Sequence, residues 1–556
     1  MERMNKRPAD EYQLGDGAPA VAARLAEWQS SGFLKRLWAK DAALWTFGQG
    51  AASEIVDRLG WLALPERMRS ETAGIMAFAE EVKASGFTRA VILGMGGSSL
   101  APEVFRGTFR PKPGYPELLV LDSTHPAAVA AAEKLIDPVR TLFIVSSKSG
   151  TTIEPLSLFR YFWDRLSRRS EPAGGRFIAV TDPGTPLAGL AAERKFRRVF
   201  LSPPDVGGRF SGLSPFGLVP AALMGIDIGR LLERARFAAA ADAPDENAAK
   251  SPGLRLGAAL AELGRSHNKL TILASASLHA FPEWLEQLVA ESLGKDGRGI
   301  LPIIDEPLAA VESYGRDRMF VTFLVETDQD HGLENHLAAL EEAGQPVIRI
   351  RLLDVWDIGR EMFRWETATA AAGAALGVQP FDQPDVELAK VLARKAMAET
   401  QPKGEGDPGG EVIVSADSDG LGRAVAGWLA QAKPKDYVAL QAFLAPDDDT
   451  TRALQDIRRA ILKKTGLATT LGFGPRFLHS TGQYHKGGPN EGLFLQVLDD
   501  PVPDLAVPET DDTFGRLIRG QALGDGRALE QKGRRILRVN LKHDVAGGLE
   551  RLRRAI

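Results

Sequence analysis

The chain has 556 residues, several times a typical single-domain length, so more than one packed unit is expected. Hydrophobic residues make up 44% and charged residues 25% of it, ordinary globular values that exclude a wholly disordered, collagen-like or multi-span membrane chain. With 72 acidic against 68 basic side chains there is no global electrostatic reason to bind nucleic acid or an anionic membrane, so an anionic ligand must be met by a local site.

Cysteine is absent, which excludes disulfides, thiolate nucleophiles and cysteine-ligated metal clusters and makes the cytoplasm the natural compartment. The opening MERMNKRPADEYQLG lacks the apolar core of a secretion signal, and no uncharged apolar stretch reaches membrane length. A soluble, unexported protein is expected.

Residues 1–84 read as a helical lead-in, with apolar positions at helical spacing in VAARLAEW and IMAFAEEV. Short apolar runs then alternate with amphipathic segments: RAVILG, ELLVLD, TLFIVS, RFIAVT and RRVFLS, the pattern of a doubly wound parallel sheet. This first α/β unit spans 85–245. A turn- and charge-rich stretch, ADAPDENAAKSPG, suits an exposed connection to a second unit, 252–400, with LTILAS, MFVTFLV and PVIRIRL as strands. TQPKGEGDPGGE marks another break before a C-terminal α/β region, 410–556, with EVIVSA, YVALQAFLA and LFLQVL.

Two turns carry chemistry. VILGMGGSSL, 91–100, is a strand ending in glycines and hydroxyls, where backbone N–H groups can approach an anion closely. Asp122 follows the next strand where a ribose-binding acid would sit, but Ser99 occupies the third glycine position, so the dinucleotide fingerprint fails. FIVSSKSGTTIEP, 143–155, gathers Ser147, Lys148, Ser149, Thr151 and Thr152 at a strand end. That cluster reads as a phosphate cradle, the alternative being a helix cap built from Thr152 or Thr151 with Glu154. Parallel strands would bring both turns to one sheet end.

Together these turns resemble the sugar-isomerase (SIS) domain, and the chain from about 60 to 400 resembles the glucose-6-phosphate isomerase family. The fold this implies is two doubly wound parallel-sheet sugar-isomerase domains with a helical lead-in and an extra C-terminal α/β region. VGGRFS, 206–211, is similar to the family's Gly-Gly-Arg segment, which assigns enediolate stabilisation to Arg209. EQLVAESLGKDGRG, 286–299, is similar to the segment of the catalytic base, here Glu291, with Gln287 one helical turn earlier. PFDQPDVELAK, 380–390, is similar to the second signature, whose glutamine and lysine fall on Gln383 and Lys390, with Asp385 where a small residue is usual. Singly, each has a plainer reading: a surface ion pair for Arg209, a solvated helix face for Glu291 and Gln287, an exposed helix end for Lys390.

The family's ring-opening histidine is expected 20–30 residues after the base, yet none occurs from Glu291 through Asp330; Glu312 stands there instead. RFLHSTGQYHKGGPNEG, 476–492, offers His479 and His485, and LHSTGQ is similar to the histidine-bearing stretch of short bacterial isomerases. The long form also resembles the isomerase half of fused transaldolase and glucose-6-phosphate isomerase proteins. His125, His267, His279, His331, His336 and His543 show no metal-ligand spacing.

The resemblance implies reversible isomerisation of glucose 6-phosphate and fructose 6-phosphate, a step of glycolysis and gluconeogenesis, with no cofactor and no metal. Gly97, Ser98, Ser147, Ser149 and Thr152 would hold the phosphate and Lys148 add charge; Glu291 would move the proton, Arg209 stabilise the enediolate, Gln287 and Gln383 orient substrate or base, and Lys390 with His479 assist ring opening. The expected partner is a phosphosugar, with a homodimer implied. The alternatives are a non-catalytic sugar-phosphate-binding regulator or an isomerase of another phosphosugar such as mannose 6-phosphate.

Overall fold

The computed structural model describes residues 9–45, 51–168, 172–399 and 413–556; the 400–411 break falls outside them. Three five-stranded sheets carry the fold. The lead-in is largely helical, including α1 (Ala18–Ser30) and α2 (Arg69–Ala84). It also holds a strand the sequence did not announce, β1 (Glu11–Gln13), which pairs antiparallel with β10 (Val347–Leu352) of the second unit.

The first unit contains β2 (Arg89–Leu93), β3 (Glu117–Leu121), β4 (Thr141–Ser146), β5 (Phe177–Thr181) and β6 (Arg198–Leu201), all parallel in the order β3-β2-β4-β5-β6. β4 is buried along its whole length, as a central parallel strand covered by helices on both faces must be. α3 (Leu100–Thr108) follows β2, and α4 (Ile153–Ser167) follows β4.

In the second unit α5 (Pro252–Gly264) precedes β7 (Lys269–Ala274), α6 (Phe281–Leu293), β8 (Leu301–Ile303), β9 (Arg318–Val325), α7 (His331–Glu342), β10 and α8 (Ile358–Leu376). Its sheet order is β1-β10-β9-β7-β8. The connection into this unit is exposed over most of 244–250 and anchored at its ends: Asp242 and Ser251 are buried, and Ser251 Oγ donates to Asp242 Oδ1 at 2.5 Å while capping α5 through Leu254 N–H. α6 is buried on all sides except at Glu283.

α9 (Pro384–Glu399) crosses to the C-terminal unit and packs on α12 (Phe514–Gln531) there. That unit runs β11 (Ile413–Ser415), α10 (Leu421–Leu429), β12 (Tyr437–Phe443), α11 (Asp448–Thr465), β13 (Ala468–Phe473), β14 (Gly492–Leu498), α12, β15 (Arg535–Asn540) and α13 (Val545–Ala555). The sheet is wholly parallel, β11-β15-β14-β12-β13. α11 has a full set of terminal signals: Asp447 accepts from Thr450 N–H at 2.8 Å, Asp448 and Asp449 lie at the positive end, Lys463 and Lys464 at the negative end, and Gly466 follows in the left-handed region.

Candidate active site

The carboxyl ends of β2 and β4 meet loops from the other two units. The first turn is drawn tight by its glycines. A Cβ on Gly97 would lie 2.1 Å from the Gly208 carbonyl oxygen, and one on Gly96, whose φ is +55°, would press on both Gln287 and His479. Only a glycine backbone allows these turns to close on each other. Ser98 is buried, and its carbonyl accepts from Ser146 Oγ at 3.0 Å, tying the first turn to β4.

In the second turn Ser147 Oγ donates to Thr152 Oγ1 at 3.1 Å and accepts from Gly150 N–H at 3.2 Å, while Ser149 and Thr151 hydroxyls lie 3.0 Å apart. Thr152 is the N-cap residue of α4, yet its side chain makes no cap hydrogen bond. The hydroxyls are therefore not consumed by capping, and the α4 N-terminus with its free N–H groups opens beside them.

A cavity of about 650 Å³ is lined by Ser149, Thr152, Glu154, Gln383, Lys390 and His479, among others. Ser147 lies just behind this wall. Gly97 and Ser98 do not line it, nor does Lys148, whose ammonium turns away to pair with Asp182 beside the Pro204 carbonyl. Lys148 thus brings less cationic charge to the cavity than its place among the hydroxyls suggested.

Beyond Gln383 a continuous polar chain crosses all three units. Arg209, buried, places Nη1 3.0 Å from Gln383 Oε1 and 3.4 Å from Glu291 Oε1, its Nε on Ser292 at 2.8 Å and its Nη2 on the carbonyls of Pro380 and Asp382. Burial pulls the Arg209 pKa down, opposed by Glu291 and Asp382. Gln287 Nε2 donates to Glu291 Oε2 at 3.1 Å and to the His479 carbonyl at 2.8 Å. His479 Nε2 lies 3.2 Å from Glu154 Oε1, which also accepts from Gln521 Nε2 at 2.7 Å. Burial would raise the Glu154 pKa, but the His479 charge and hydrogen bond, together with a backbone hydrogen bond and the Lys390 charge, hold the carboxyl below its ordinary range. The Gln287 Oε1 acceptor is buried with no partner among the described residues. Its amide orientation is fixed by two acceptors facing Nε2.

The plainer readings of Arg209, Glu291 and Gln287 do not survive. Arg209 is no surface ion pair, and Glu291 and Gln287 lie on a largely buried helix face between units, next to the cavity through Gln383 and His479 without lining it. Lys390 is exposed on α9 but lines the cavity. Glu312 is exposed and outside the cavity lining. His485 is buried against Tyr437, with Nδ1 2.9 Å from the phenol oxygen, and burial pushes its pKa well down. Asp122 pairs with Arg476 at 3.2 Å and accepts from Ser99, which makes it a joint between units and not a ribose ligand.

Three contributors were not assigned roles from sequence. Glu154 was visible only as a capping partner; its signal was a carboxylate directly after the hydroxyl run. Lys295, in ESLGK, donates to Asp382 Oδ1 at 2.7 Å and with Arg209 pins the segment leading to Gln383; burial lowers its pKa to about 8. Gln521, from α12, had no local signal. Asp385, the departure in the second signature, accepts from Gln483 at 2.8 Å and pairs with Lys532, fastening the start of α9 to the C-terminal unit. Among the described residues no group of His, Asp or Glu is arranged to hold a metal, and no helix is long and apolar enough to cross a membrane.

Parallel doubly wound sheets whose strand ends surround a hydroxyl-lined cavity define a sugar-isomerase type of α/β protein. Comparison narrows this. The family model for phosphoglucose isomerase matches residues 64–300. The glucose-6-phosphate isomerase of Rubrobacter xylanophilus is 32% identical over 391 residues, covering 61% of this chain and 89% of that protein. That of Acetivibrio thermocellus is 31% identical, covering 60% and 86%. The chain belongs to the phosphoglucose isomerase family. Among solved structures, a hypothetical protein of Thermus thermophilus superposes with a TM-score of 0.61 at 28% identity, over 70% of this chain and all of that one. A glucose-6-phosphate isomerase of Chlamydia trachomatis shares the fold with a TM-score of 0.52 at 20% identity, over 67% and 79%.

Proposed function

We infer that the protein interconverts glucose 6-phosphate and fructose 6-phosphate by ring opening and enediol proton transfer. The observation that carries this reading is the unbroken chain Arg209–Glu291–Gln287–His479–Glu154 beside a hydroxyl-lined cavity. Ser149 and Thr152, with Ser147 behind them and the α4 N-terminus, receive the phosphate. Gly97 and Ser98 hold the neighbouring turn in place, and Lys148 contributes through its pair with Asp182. In the ring-opening step His479 and Lys390 deliver a proton to the ring oxygen and take one from the anomeric hydroxyl, Glu154 orienting the imidazole.

In the open-chain sugar the Glu291 carboxylate takes the proton from C2. The electron pair moves to form the C1–C2 double bond and leaves negative charge on O1. The Arg209 guanidinium, already desolvated, stabilises that charge; the C2 hydroxyl gives up its proton and O1 takes one up, and as the C2 carbonyl forms the electron pair of the C1–C2 double bond takes the proton back from Glu291 at C1. Gln383 and the unpaired Gln287 Oε1 orient sugar hydroxyls. Every group required is a side chain of this protein.

A ligand-sensing regulator would need the hydroxyl turn alone, whereas a buried carboxylate held between Arg209 and Gln287 has no use in binding only. The same reading places the enzyme in the cytoplasm, where phosphosugars are made. The implied homodimer would be an association of two complete sites. A coupled assay of glucose 6-phosphate formation from fructose 6-phosphate tests it; absence of turnover would reject it.

A further inference from the structure

The second and C-terminal sheets have the same strand order, β8-β7-β9-β10 against β13-β12-β14-β15. Their helices correspond as well: α5 and α10 before the first strand, α6 and α11 after it, α7 and α12 before the last strand, α8 and α13 after it. In both, the crossover between the second and third strands lacks a long helix: it holds a 3-10 turn, Val311–Ser313, in one, and a 3-10 turn, Arg476–His479, with a six-residue helix, Gly482–Gly487, in the other. The first unit has a helix there, Pro126–Lys134.

The two sheets also meet edge to edge, β8 beside β13, and share a core of Ala290, Leu301 and Ile303 with Tyr437, Ala439 and Ala468. The contacts across this seam are reciprocal. α6 packs on the loop after β13, where Ser480 donates to Glu286 at 3.0 Å and Gln287 to the His479 carbonyl. α11 packs on the loop after β8, where Arg458 donates to the Ile304 carbonyl at 2.8 Å. Element i touching j while j touches i is the pattern of a two-fold, isologous interface.

Such an interface would carry two symmetry-related sites, each made from the helix of one copy and the crossover loop of the other. Only one is equipped. α6 holds Glu291 and Gln287, while α11, DDTTRALQDIRRAILKKT, has no glutamate. The β13–β14 loop holds His479, while residues 304–317 contain no histidine.

We propose that the C-terminal unit is a built-in second copy of the second unit, seated where a second chain would otherwise dock, so that each chain carries one complete active site and needs no partner subunit. The proposal rests on the isomerase reading and deepens it. It explains why the base and the histidine lie 188 residues apart in sequence yet are joined through one glutamine.

The test is complementation. Glu291→Gln and His479→Asn chains, differently tagged, are expressed separately and together, and isomerase activity is measured beside wild type. Active wild type with two weak variants supports the isomerase reading. Activity of the co-expressed pair no higher than the variants alone supports a self-contained site. Recovery toward about a quarter of wild type, the yield of random pairing with one intact shared site per mixed pair, would overturn it, as would full activity in either variant. A second readout does not depend on turnover: fructose 6-phosphate titrated calorimetrically into wild type should show one site per chain, with the same affinity at concentrations where sedimentation detects only single chains. Loss of binding on such dilution would overturn the proposal even in an inactive protein.

Discussion

His479 Nε2 lies 3.2 Å from Glu154 Oε1, although the two residues are 325 positions apart and sit in different units. The carboxylate is buried, and Gln521 holds its same oxygen from the other side. An imidazole fixed this way has one ring nitrogen committed and its orientation set. His479→Asn should therefore slow turnover of the cyclic substrate about 10²- to 10⁴-fold and leave an open-chain analogue close to wild-type rates. Glu154→Gln, acting through the histidine, should cost about 10- to 100-fold in kcat, the worth of one hydrogen bond to a charged group, with KM nearly unchanged. Equal losses on cyclic and open-chain substrates would refute the ring-opening role of the pair.

The hydroxyl turn should matter to affinity and little to stability. Ser149→Ala with Thr152→Ala removes two cavity-lining hydroxyls, neither of which caps α4. KM for the phosphosugar should rise about tenfold or more, in line with lost hydrogen bonds to a charged group, while the thermal melt stays near wild type. An unchanged KM would mean that the phosphate binds elsewhere.

Gly97→Ala tests the close approach of the two turns. The new methyl would meet the Gly208 carbonyl at 2.1 Å, a backbone atom that cannot swing aside, so a loss of about 1–3 kcal/mol is expected from overpacking. Gly189→Ala, with nothing within 4 Å of the added methyl in the helix Pro186–Glu193, should be neutral or slightly stabilising. Similar melts for the two variants would contradict the packing account.

Glu286 sits one residue before Gln287, at the seam where Ser480 donates to it. Burial raises its pKa to about 7, opposed by Ser480 and Arg476, with Glu283 and Asp305 adding to the rise. A carboxyl raised in the folded state holds a proton that the unfolded chain releases. Its cost to stability therefore grows as pH climbs from the ordinary carboxyl range to about 7 and is complete above that, up to about 3 kcal/mol. Glu286→Gln should melt like wild type near pH 5 and above it at pH 8. A pH-independent difference would show that Glu286 ionises normally.

The strands whose residues are buried on both faces, such as β4 and β9, were legible because continuous apolar runs bounded by turn residues have few other readings. β8, at three residues, and β1, which exists only by pairing with β10, carry too little local pattern to be read. β13 and β15 were missed because Thr469, Thr470, Arg535 and Arg538 break the apolar run. Arg538 is buried even so, and the Thr469 hydroxyl accepts from buried Arg458 and donates to Glu306. Of the site, the residues with family-like motifs were visible from sequence, since spacing on α6 puts Gln287 and Glu291 on one face. The Glu154–His479 contact and the diversion of Lys148 to Asp182 depend on tertiary placement, which no local spacing encodes.

The most direct test of the account is the proton step itself. Glu291→Gln keeps the side-chain volume and can still face Arg209 and Gln287, but it cannot accept the C2 proton. With glucose 6-phosphate deuterated at C2, the variant should show turnover and deuterium loss to solvent reduced together by about 10²- to 10⁴-fold, with a wild-type melt. Turnover within about threefold of wild type, against that expected general-base contribution, would contradict the assignment of Glu291 as the base.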